Sequence, residues 1–514
     1  MTASPILTRR RVFLAAILIV MLYLALAGGF ALTKRPWCDE ACFANPGVDL
    51  ITRGKFGYTE FDPTGNGIQV GWLYPNVHER AYFLMPFDPV LQAVWYKFFG
   101  IHVFTMRSLH ILLGMLALLA WGVMVHRLGG ATSAALLAML LIALDRGFLQ
   151  AASDGRADMA SAAFAAIGLG GYAALRERRL GWAILAANAG LAAAGMCHPN
   201  GAIAAVGWIY LVLALDRRRL QWRYLIPAAV PYLVAFGAWG WYISQDPASF
   251  RAQFLANAST NRFVGLAAPF LGFWREVAVR YLDRTYLPPY AHGWRDLPVL
   301  IPLLNAAGVL LCLFAPGLRK IPAARHFGRI AALYFVTFSL GEGTKAGFYL
   351  VHVTPVLCCA MALWIDTWLQ WPGWRRVTAA AAAAVVIGLE LLWSVYIISR
   401  NPYRSSYLEV TNFIKQHAPP NAITMGGGEL GFELGFYGPV IEDATLGFYS
   451  GKRPDFVVVD EKCYRGYIDG FPSKNQEVFR HVQKVLNEDC EKVLTSDTCD
   501  LYARKGLVRR SGVN

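Results

Sequence analysis

The chain has 514 residues, of which 56% are hydrophobic and only 16% are charged, and its mean hydropathy is +0.38. Soluble globular domains usually carry about a quarter charged residues, so this composition favours an integral membrane protein. The formal net charge of +14 does not indicate a nucleic-acid partner, because the Lys and Arg residues lie in short connectors between apolar runs and form no continuous basic face.

Apolar runs of about 20 residues recur along the chain, and each is long enough to cross roughly 30 Å of hydrocarbon as a helix. We predict about eleven spans, at approximately 12–32, 104–125, 131–148, 159–175, 181–197, 202–215, 224–243, 298–315, 328–342, 346–366 and 377–397. The first run follows three arginines and is longer than the core of a typical signal peptide. We therefore expect a retained span there, with a cleaved leader as the other interpretation.

The basic connectors predict an orientation. If the amino terminus is cytoplasmic, every second connector is cytoplasmic as well, and each of these is basic. They lie at 126–127, 176–179, 216–223, 319–329 and 374–376. Positive charge on the cytoplasmic side is the usual bias of membrane proteins. The outer side then receives the connectors 33–105 and 244–297 and everything after about residue 400.

The last outer segment differs from the spans in composition. It is mixed and charged, with a β-type run from Phe456 to Asp460 between helical patterns at 404–417 and 475–487. We predict a small α/β domain of about 110 residues, long enough to bury its own core. The glycines at 426–428 lack the spacing of a phosphate-binding fingerprint and indicate a turn. If a disulfide forms outside, Cys490 with Cys499 is the first candidate pair.

Two adjacent carboxylates, Asp39 and Glu40, follow the first span on the outer side. Carboxylates at a membrane boundary cost free energy unless they are solvated or used. One interpretation is that they are only the polar end of a helix. The other is that one of them acts as general base for an incoming hydroxyl while its neighbour holds the acceptor or an ion.

Three further clusters contain Arg156 with Asp158, then His198, then Lys345 with Tyr349. Each has a plain structural explanation: the first two can neutralise each other, the histidine can be an ordinary loop residue, and the lysine can snorkel. The predicted orientation nevertheless places all the clusters on the outer side. Cations there suit phosphate, aromatic rings suit a sugar, and the spans suit an isoprenoid tail.

Together these motifs resemble those of a known superfamily. The Asp39-Glu40 pair, the Arg156-Ala157-Asp158 sequence and the Lys345-x-x-x-Tyr349-x-x-x-x-x-Pro355 string look like the GT-C glycosyltransferases. More narrowly, they resemble the bacterial relatives of protein O-mannosyltransferases and lipid A aminoarabinose transferases. The resemblance covers the layout of roughly residues 10–400.

The resemblance implies a fold and a location. The fold would be mainly α, a polytopic bundle of about eleven spans with a small C-terminal α/β domain outside. Residues 1–400 would form the transmembrane module, with interfacial helices in the first outer loop (33–105), and residues 401–514 the extracytoplasmic domain. The membrane would be the bacterial inner membrane, with a cytoplasmic amino terminus.

The resemblance also implies a reaction. A sugar would pass from a polyprenyl-phosphate donor to an acceptor hydroxyl of a lipid, glycan or protein on the outer face, with inversion. Asp39 would be the general base, and Glu40 would support Asp39 or the acceptor. Arg156 and Lys345 would neutralise the leaving phosphate, with Tyr349 nearby.

The remaining substrate-binding candidates are Asp158, which would fix the Arg156 side chain, His198, and His78. Many relatives have a Lys-Pro-Pro or His-Pro-Pro element near this last position, whereas this sequence reads His78-Glu79-Arg80. Cations alone can manage a lipid monophosphate, so we expect no obligatory metal or other cofactor. A divalent cation remains compatible with the site.

Two other function classes are open. A lipid or polysaccharide transporter would place ionisable residues near mid-membrane, beside broken helices and paired repeats, and Glu390 in the last span is the candidate for such a residue. A non-catalytic membrane scaffold that displays the tail domain would tolerate loss of Asp39, which the enzyme would not.

Overall fold

The computed structural model describes residues 9–60, 76–255, 264–286, 293–461 and 464–508. The regular α-helices of eight or more residues are α1 (Arg9–Thr33), α2 (Cys38–Thr52), α3 (Phe87–Phe99), α4 (Val103–Arg127), α5 (Thr132–Leu144), α6 (Arg146–Ser153), α7 (Ala157–Leu175), α8 (Leu180–Cys197), α9 (Ile203–Leu215), α10 (Leu225–Ser244), α11 (Leu300–Phe314), α12 (Pro322–Gly341), α13 (Thr354–Leu369), α14 (Trp374–Arg400), α15 (Glu409–His417), α16 (Tyr464–Lys474) and α17 (Gln476–Lys484). The strands are β1 (Thr424–Met425), β2 (Val440–Ile441), β3 (Phe456–Asp460), β4 (Cys490–Thr495) and β5 (Cys499–Arg504). Shorter or irregular helical segments cover Pro199–Ala202, Trp222–Tyr224, Pro247–Phe250, Arg251–Leu255, Val264–Ala267, Pro269–Arg275, Glu276–Tyr286, Gly293–Val299, Pro316–Arg319, Gly347–His352, Tyr403–Leu408, Gly428–Leu430, Gly431–Leu434 and Val485–Asp489.

Seven of the described helices are long and apolar enough to cross a membrane, by length and composition. An eighth span results if α5 and α6, which meet at a bend of 59°, are counted as one broken span. Helices also lie at the other predicted spans, but α9 and α13 have only 13 and 16 residues. The protein is therefore an integral multi-pass membrane protein, and the number of eleven spans stays a prediction.

The chain divides into two compact units. The helical unit contains Met1–Phe30, His110–Tyr242 and Ser259–Tyr396, and the mixed unit contains Ala31–Leu109, Ile243–Ala258 and Ile397–Asn514. The C-terminal tail thus groups with the connector between the first two long spans. Helices α2 and α3 lie in that connector, and both belong to the mixed unit.

In the helical unit, α7 and α8 pack closely because glycines face each other. A Cβ atom added to Gly190 would lie 2.5 Å from the carbonyl oxygen of Phe164 and 2.6 Å from the Cα of Gly168. Small residues of this kind let two membrane helices approach backbone to backbone. Since α7 and α8 form an antiparallel hairpin, the start of α7 and the end of α8 lie at the same end of the pair, where Asp158 and His198 are found.

The mixed unit contains a five-stranded sheet in the order β2-β1-β3-β5-β4. The β1 strand pairs parallel with β2 and β3, and β5 pairs antiparallel with β3 and β4. Every residue of β3 is buried. Val457 and Val459 pack with residues of α16 and α17, whereas Phe456 and Val458 pack with residues of α15. Burial on both faces explains the unbroken apolar run, and the strand predicted at 456–460 is confirmed.

The cysteine prediction was wrong. Cys490 and Cys499 are both free thiols. They begin neighbouring antiparallel strands, with Cys490 opposite Arg504 and Cys499 opposite Asp460, so they lie at opposite ends of the β4–β5 ladder. Five residues of strand separate them, about 15 Å, which is too far for a disulfide. Cys38 is the disulfide-bonded cysteine of the described chain.

Candidate functional site

The start of α7 places Arg156 and Asp158 side by side. Arg156 is the last extended residue before the helix, and Asp158 lies in its first turn, where the helix N-terminus stabilises a carboxylate. Arg156 Nε donates to Asp158 Oδ2 at 2.9 Å, and the guanidinium carbon lies 3.9 Å from the centre of the Phe348 ring. Both charged side chains are buried.

His198 follows the end of α8 and faces the same carboxylate. Its Nδ1 accepts a hydrogen bond from the Asn200 backbone N–H at 3.2 Å, so the neutral ring carries its proton on Nε2. That Nε2 lies 3.6 Å from Asp158 Oδ1. The centre of the Tyr349 ring is 5.2 Å from that of His198, and the two rings are tilted by 43°.

The segment Gly347–His352 is a 3₁₀ helix, in which side chains three residues apart lie on one face. Tyr349 and His352 have this spacing and are both buried. The donor atoms of Asp158, His198 and His352 lie within 4.8 Å of one another. The structure therefore gathers a carboxylate, two imidazoles, a guanidinium and a phenol at one end of the helical unit.

Lys345, two residues before the Gly347–His352 helix, belongs to a buried ion-pair network. Its Nζ donates to Glu276 Oε2 and to the carbonyl oxygens of Phe338 and Ser339, each at 2.9 Å. Arg280 pairs with Glu276 at 2.9 Å and also with Glu342. All three donors of the ammonium are therefore used. The two carboxylates balance the charges of Lys345 and Arg280, so the network as a whole is neutral.

The backbone at Lys345 is unusual, with φ at +54°. A residue other than glycine in this left-handed region costs roughly 1 kcal/mol and usually depends on its surroundings to hold it. Here the backbone N–H of Lys345 donates to Glu342 Oε2 at 2.9 Å. The same glutamate thus holds both the backbone of Lys345 and the side chain of Arg280.

The carboxylate pair after α1 lies in the mixed unit, and its members differ. Glu40 is fully buried and receives two hydrogen bonds from Arg107, Nε to Oε2 at 2.8 Å and Nη2 to Oε1 at 2.9 Å. Arg107 Nη1 donates in addition to the carbonyl oxygens of Ala31 and Lys34. Asp39 is only half-buried. Glu40 is therefore engaged in holding the start of α2, and Asp39 is the member that solvent reaches.

A second group of carboxyls in the mixed unit was not expected from the sequence. Glu60, Glu429 and Glu442 are each at least 95% buried. Tyr58 donates to Glu442 Oε2 at 2.6 Å, and Arg35 donates to Glu429 Oε1 at 3.0 Å. Among the described residues, neither carboxylate oxygen of Glu60 has a hydrogen-bond partner. The group joins the connector after α1 to the tail domain, since Glu442 N also donates to the Glu60 carbonyl oxygen at 2.9 Å.

Burial and mutual repulsion raise the pKa values of these carboxyl groups. Burial raises the pKa of Glu442 to about 8 and that of Glu429 to about 7, and it raises the pKa of Glu60, which the charge of Glu442 raises further. A Cβ atom on Gly428 would lie 2.3 Å from Glu60 Oε2 and 2.9 Å from Glu442 Oε2. The predicted turn at 426–428 therefore needs a glycine where its backbone meets these carboxyl groups.

The structure brings five of the eight predicted residues into the helical unit: Arg156, Asp158, His198, Lys345 and Tyr349. The other three, Asp39, Glu40 and His78, lie in the mixed unit. His78 is half-buried and offers its carbonyl oxygen to Arg53 at 2.8 Å.

Besides the carboxyl group of the mixed unit, the sequence analysis missed Arg107, Glu276, Arg280 and His352. Of these four residues, only His352 lies within one of the sequence motifs. It belongs to the string from Lys345 to Pro355 and follows Tyr349 by three residues, which is one turn of a 3₁₀ helix.

No family model matches the sequence, and no curated protein matches it by sequence. Solved structures do share its fold. ArnT from Cupriavidus metallidurans, bound to undecaprenyl phosphate, has a TM-score of 0.62 and 16% identity over 96% of this chain and 98% of that one. The oligosaccharyltransferase AglB from Archaeoglobus fulgidus, in complex with an inhibitory peptide and a dolichol-phosphate, has a TM-score of 0.56 and 12% identity over 92% of this chain and 72% of that one.

A further Archaeoglobus fulgidus oligosaccharyltransferase structure, in complex with Zn and sulfate, has a TM-score of 0.57 and 13% identity over 95% of this chain and 73% of that one. Identities this low establish likeness of fold. The chain therefore shares its fold with ArnT and with these oligosaccharyltransferases.

Proposed function

We propose that this protein is a membrane glycosyltransferase that moves a sugar from a polyprenyl-phosphate donor to an acceptor hydroxyl. The observation that carries the proposal is the likeness of fold over nearly the full length of both chains to ArnT, a protein solved with undecaprenyl phosphate bound. The carboxylates, cations and aromatic side chains described above supply the groups that such a reaction needs.

Asp39 is the proposed general base. A base must exchange a proton with the acceptor, which favours the half-buried Asp39 over Glu40, whose oxygens both accept bonds from Arg107. Asp39 takes the proton of the acceptor hydroxyl as the oxygen attacks the anomeric carbon. The bond from that carbon to the phosphate oxygen breaks, polyprenyl phosphate leaves, and the anomeric centre is inverted.

Arg156 is the proposed ligand of the donor phosphate. Its guanidinium is held by Asp158 and by the face of Phe348, and a planar fork of donors suits a phosphate. His198 and Tyr349 lie beside it and would contact the sugar or the phosphate. Lys345 contributes positive charge from within its ion-pair network, so that direct phosphate binding would require it to exchange a partner.

The predicted orientation places the reaction on the outer face of a bacterial inner membrane, with the tail domain outside. We propose that this domain helps to select the acceptor, which is a lipid, a glycan or a protein. The tail domain is hydrogen-bonded to the connector that carries Asp39, since Glu442 N donates to the Glu60 carbonyl oxygen. The charge of Asp39 also contributes to the raised pKa of Glu442. This proximity to the proposed base supports a role of the domain in acceptor selection.

The transporter alternative loses its main candidate. Glu390 in α14 is buried against Arg146, whose Nε lies 3.3 Å from Glu390 Oε2. The Arg146 guanidinium is further covered by the rings of Tyr286 and Trp393. A carboxylate that is buried and paired in this way has a structural explanation, so Glu390 gives the transporter alternative no specific support.

The test is donor turnover by purified protein reconstituted with radiolabelled polyprenyl-phosphate sugars. Loss of a general base typically slows a reaction about 10²–10⁴-fold, so we expect Asp39→Asn to lose turnover while the donor lipid still binds. Asp246→Asn, at the N-cap of the Pro247–Phe250 helix in the same unit, is the matched control and should turn over normally. Equal turnover of wild type and Asp39→Asn would overturn the assignment of the base and shift attention to Asp158.

A further inference from the structure

We propose that Asp158, His198 and His352 bind one divalent transition-metal ion of the Zn²⁺ class. The three donor atoms lie within 4.8 Å of one another, so a single ion can reach all of them after small side-chain adjustments. The residues come from the start of α7, the end of α8 and the Gly347–His352 helix, which pack together within the helical unit. The arrangement is thus set by three elements rather than by one loop.

One oxygen of Asp158 and one nitrogen of His352 lack the hydrogen bonds that buried polar atoms normally make. Within the described part of the chain, Asp158 Oδ1 and His352 Nε2 have no hydrogen-bond partner, although the residues are only 1% and 5% exposed. His198 Nε2 lies 3.6 Å from Asp158 Oδ1, which is beyond hydrogen-bond distance. Buried atoms in this condition are rare and point to an ion or a water that joins them.

The donor set identifies the class of ion. Two imidazoles with one carboxylate suit Zn²⁺ and similar first-row metals, whereas Mg²⁺ and Ca²⁺ prefer oxygen ligands throughout. Three protein ligands leave at least one coordination position for water or another oxygen ligand, as in catalytic zinc sites. We therefore expect binding of Zn²⁺ or Co²⁺ and no comparable binding of Mg²⁺.

Groups around the ligands are arranged to orient them. Arg156 occupies Oδ2 of Asp158 at 2.9 Å and so leaves Oδ1 on the side of His198. A second interaction of this kind is common around metal ligands and fixes their orientation. The Tyr349 ring packs against the His198 ring, at 5.2 Å between ring centres and a tilt of 43°.

His198 must change its tautomer to bind the ion through Nε2. Without metal its Nδ1 accepts from Asn200 N–H at 3.2 Å, which leaves the ring proton on Nε2. Coordination through Nε2 moves the proton to Nδ1 and breaks the bond to Asn200. One neutral hydrogen bond is a small loss beside a metal–ligand bond, so the exchange favours the bound state. Metal binding should therefore displace the Asn200 amide resonance in a selectively labelled sample.

The ion would also change the charge of the cluster. Asp158 and Arg156 neutralise each other, so a bound divalent ion would leave a net positive charge with an open position for an anionic oxygen. In the proposed transferase that oxygen would belong to the donor phosphate, and this consequence alone rests on the proposed function. Binding of the ion does not depend on the transfer reaction.

The experiment is a Co²⁺ titration of full-length, chelator-treated protein that carries no polyhistidine tag. We expect about one Co²⁺ per chain, a visible absorption band of four-coordinate cobalt, and displacement by Zn²⁺ but not by Mg²⁺. His352→Ala should lose the band and weaken binding at least tenfold. His326→Ala is the matched control, because His326 is an equally buried histidine of the same unit that instead contacts Tyr210, and it should keep both.

A second measurement does not depend on whether the variants fold. X-ray absorption of the zinc-loaded wild type should show two imidazoles and one carboxylate at about 2.0–2.2 Å, without sulfur. Sulfur ligation, absence of binding at micromolar Co²⁺, or a band that survives in both His352→Ala and Asp158→Asn would overturn the proposal. No donor lipid is present in these measurements, so a failed transfer assay would leave the result on metal binding intact.

Discussion

At the scale of single residues, neighbours in the sequence have different tasks. Asp39 and Glu40 are adjacent, yet Glu40 is fully buried against Arg107 whereas Asp39 is half-buried. A buried ion pair contributes little net stability when it is complete, but loss of one partner leaves an uncompensated charge in a medium of low dielectric constant. Arg107 is therefore a structural residue that supports the proposed base through the start of α2.

Replacement of Arg107 tests this role. We expect Arg107→Ala to lower the free energy of unfolding by about 3–5 kcal/mol, because Glu40 would stay buried without a partner. The matched control is Lys55→Ala, which removes the exposed Lys55–Glu79 pair of the same unit and should change the free energy by less than about 1 kcal/mol. Thermal unfolding in detergent, followed by tryptophan fluorescence, measures both changes.

The double variant Arg107→Met with Glu40→Leu removes both charges of the pair. It should recover most of the stability that Arg107→Ala loses, because no buried charge remains unpaired. A double variant as unstable as Arg107→Ala would show that the contacts of Arg107 with Ala31 and Lys34, and not the ion pair, carry the effect.

At the scale of elements, the helix hairpin α7–α8 sets the position of Asp158 and His198. The close approach of the two helices depends on Gly168 and Gly190, which leave no room for a side chain. Such close approach lets van der Waals contacts and weak backbone contacts form, which matter more in a membrane, where lipid is as apolar as leucine. A substitution where the two helices cross should therefore also shift the positions of Asp158 and His198 at the end of the hairpin.

Two glycines of α8 make a matched comparison. Gly190→Ala should lower the free energy of unfolding by about 1–3 kcal/mol, since the new methyl group would meet the backbone of α7. Gly195→Ala should be neutral or stabilising by up to about 1 kcal/mol, because nothing lies within 4 Å of its added Cβ atom and alanine favours helix. Equal effects in the two variants would contradict close packing at Gly190.

At the scale of the whole molecule, the tail domain and the connector after α1 belong to one compact unit. Glu60 of the connector lies among Glu429 and Glu442 of the tail domain, and Trp37 and Cys38 pack into the core of that domain. Like charges buried this closely remain together only when some of them are protonated or balanced by a cation such as Arg35. The stability of the mixed unit should therefore depend on pH.

The sign of the dependence follows from the raised pKa values of Glu429 and Glu442, about 7 and about 8, against roughly 4.3 in the unfolded chain. Between the unfolded and the folded pKa values, the folded state binds more protons than the unfolded state. The contribution of these two groups to stability is therefore greatest below about pH 4.5 and falls as the pH rises to about 8. We expect the melting temperature to be higher at pH 5.5 than at pH 8.5.

Glu442→Gln should reduce this difference and stabilise the protein at pH 8.5 by roughly 1–3 kcal/mol, because the amide cannot ionise. Glu79→Gln, at an exposed site of the same unit, serves as control and should leave the pH profile unchanged. A melting temperature that rises between pH 5.5 and pH 8.5, and responds equally to both substitutions, would contradict the raised pKa of Glu442.

The sequence by itself determined the class of the protein and many of its elements. Long apolar runs are local signals, because every backbone polar group must be satisfied within its own helix in lipid. Helices therefore occur where the spans were predicted, and the run from Phe456 to Asp460 forms a strand for a similar local reason. The clusters of candidate residues were recognisable as well, because charged and aromatic residues at span ends stand out against apolar sequence.

Only the tertiary structure decided which residues share a site. Glu40 pairs with Arg107 at a separation of 67 residues and Lys345 with Glu276 at a separation of 69. His352 joins Asp158 and His198, and Cys490 and Cys499 end up at opposite ends of a strand pair. Hydrophobic periodicity specifies which face of an element is buried but not which distant element covers it. Partners of buried charges, and with them the chemistry of the clusters, are therefore settled by the packing of the elements.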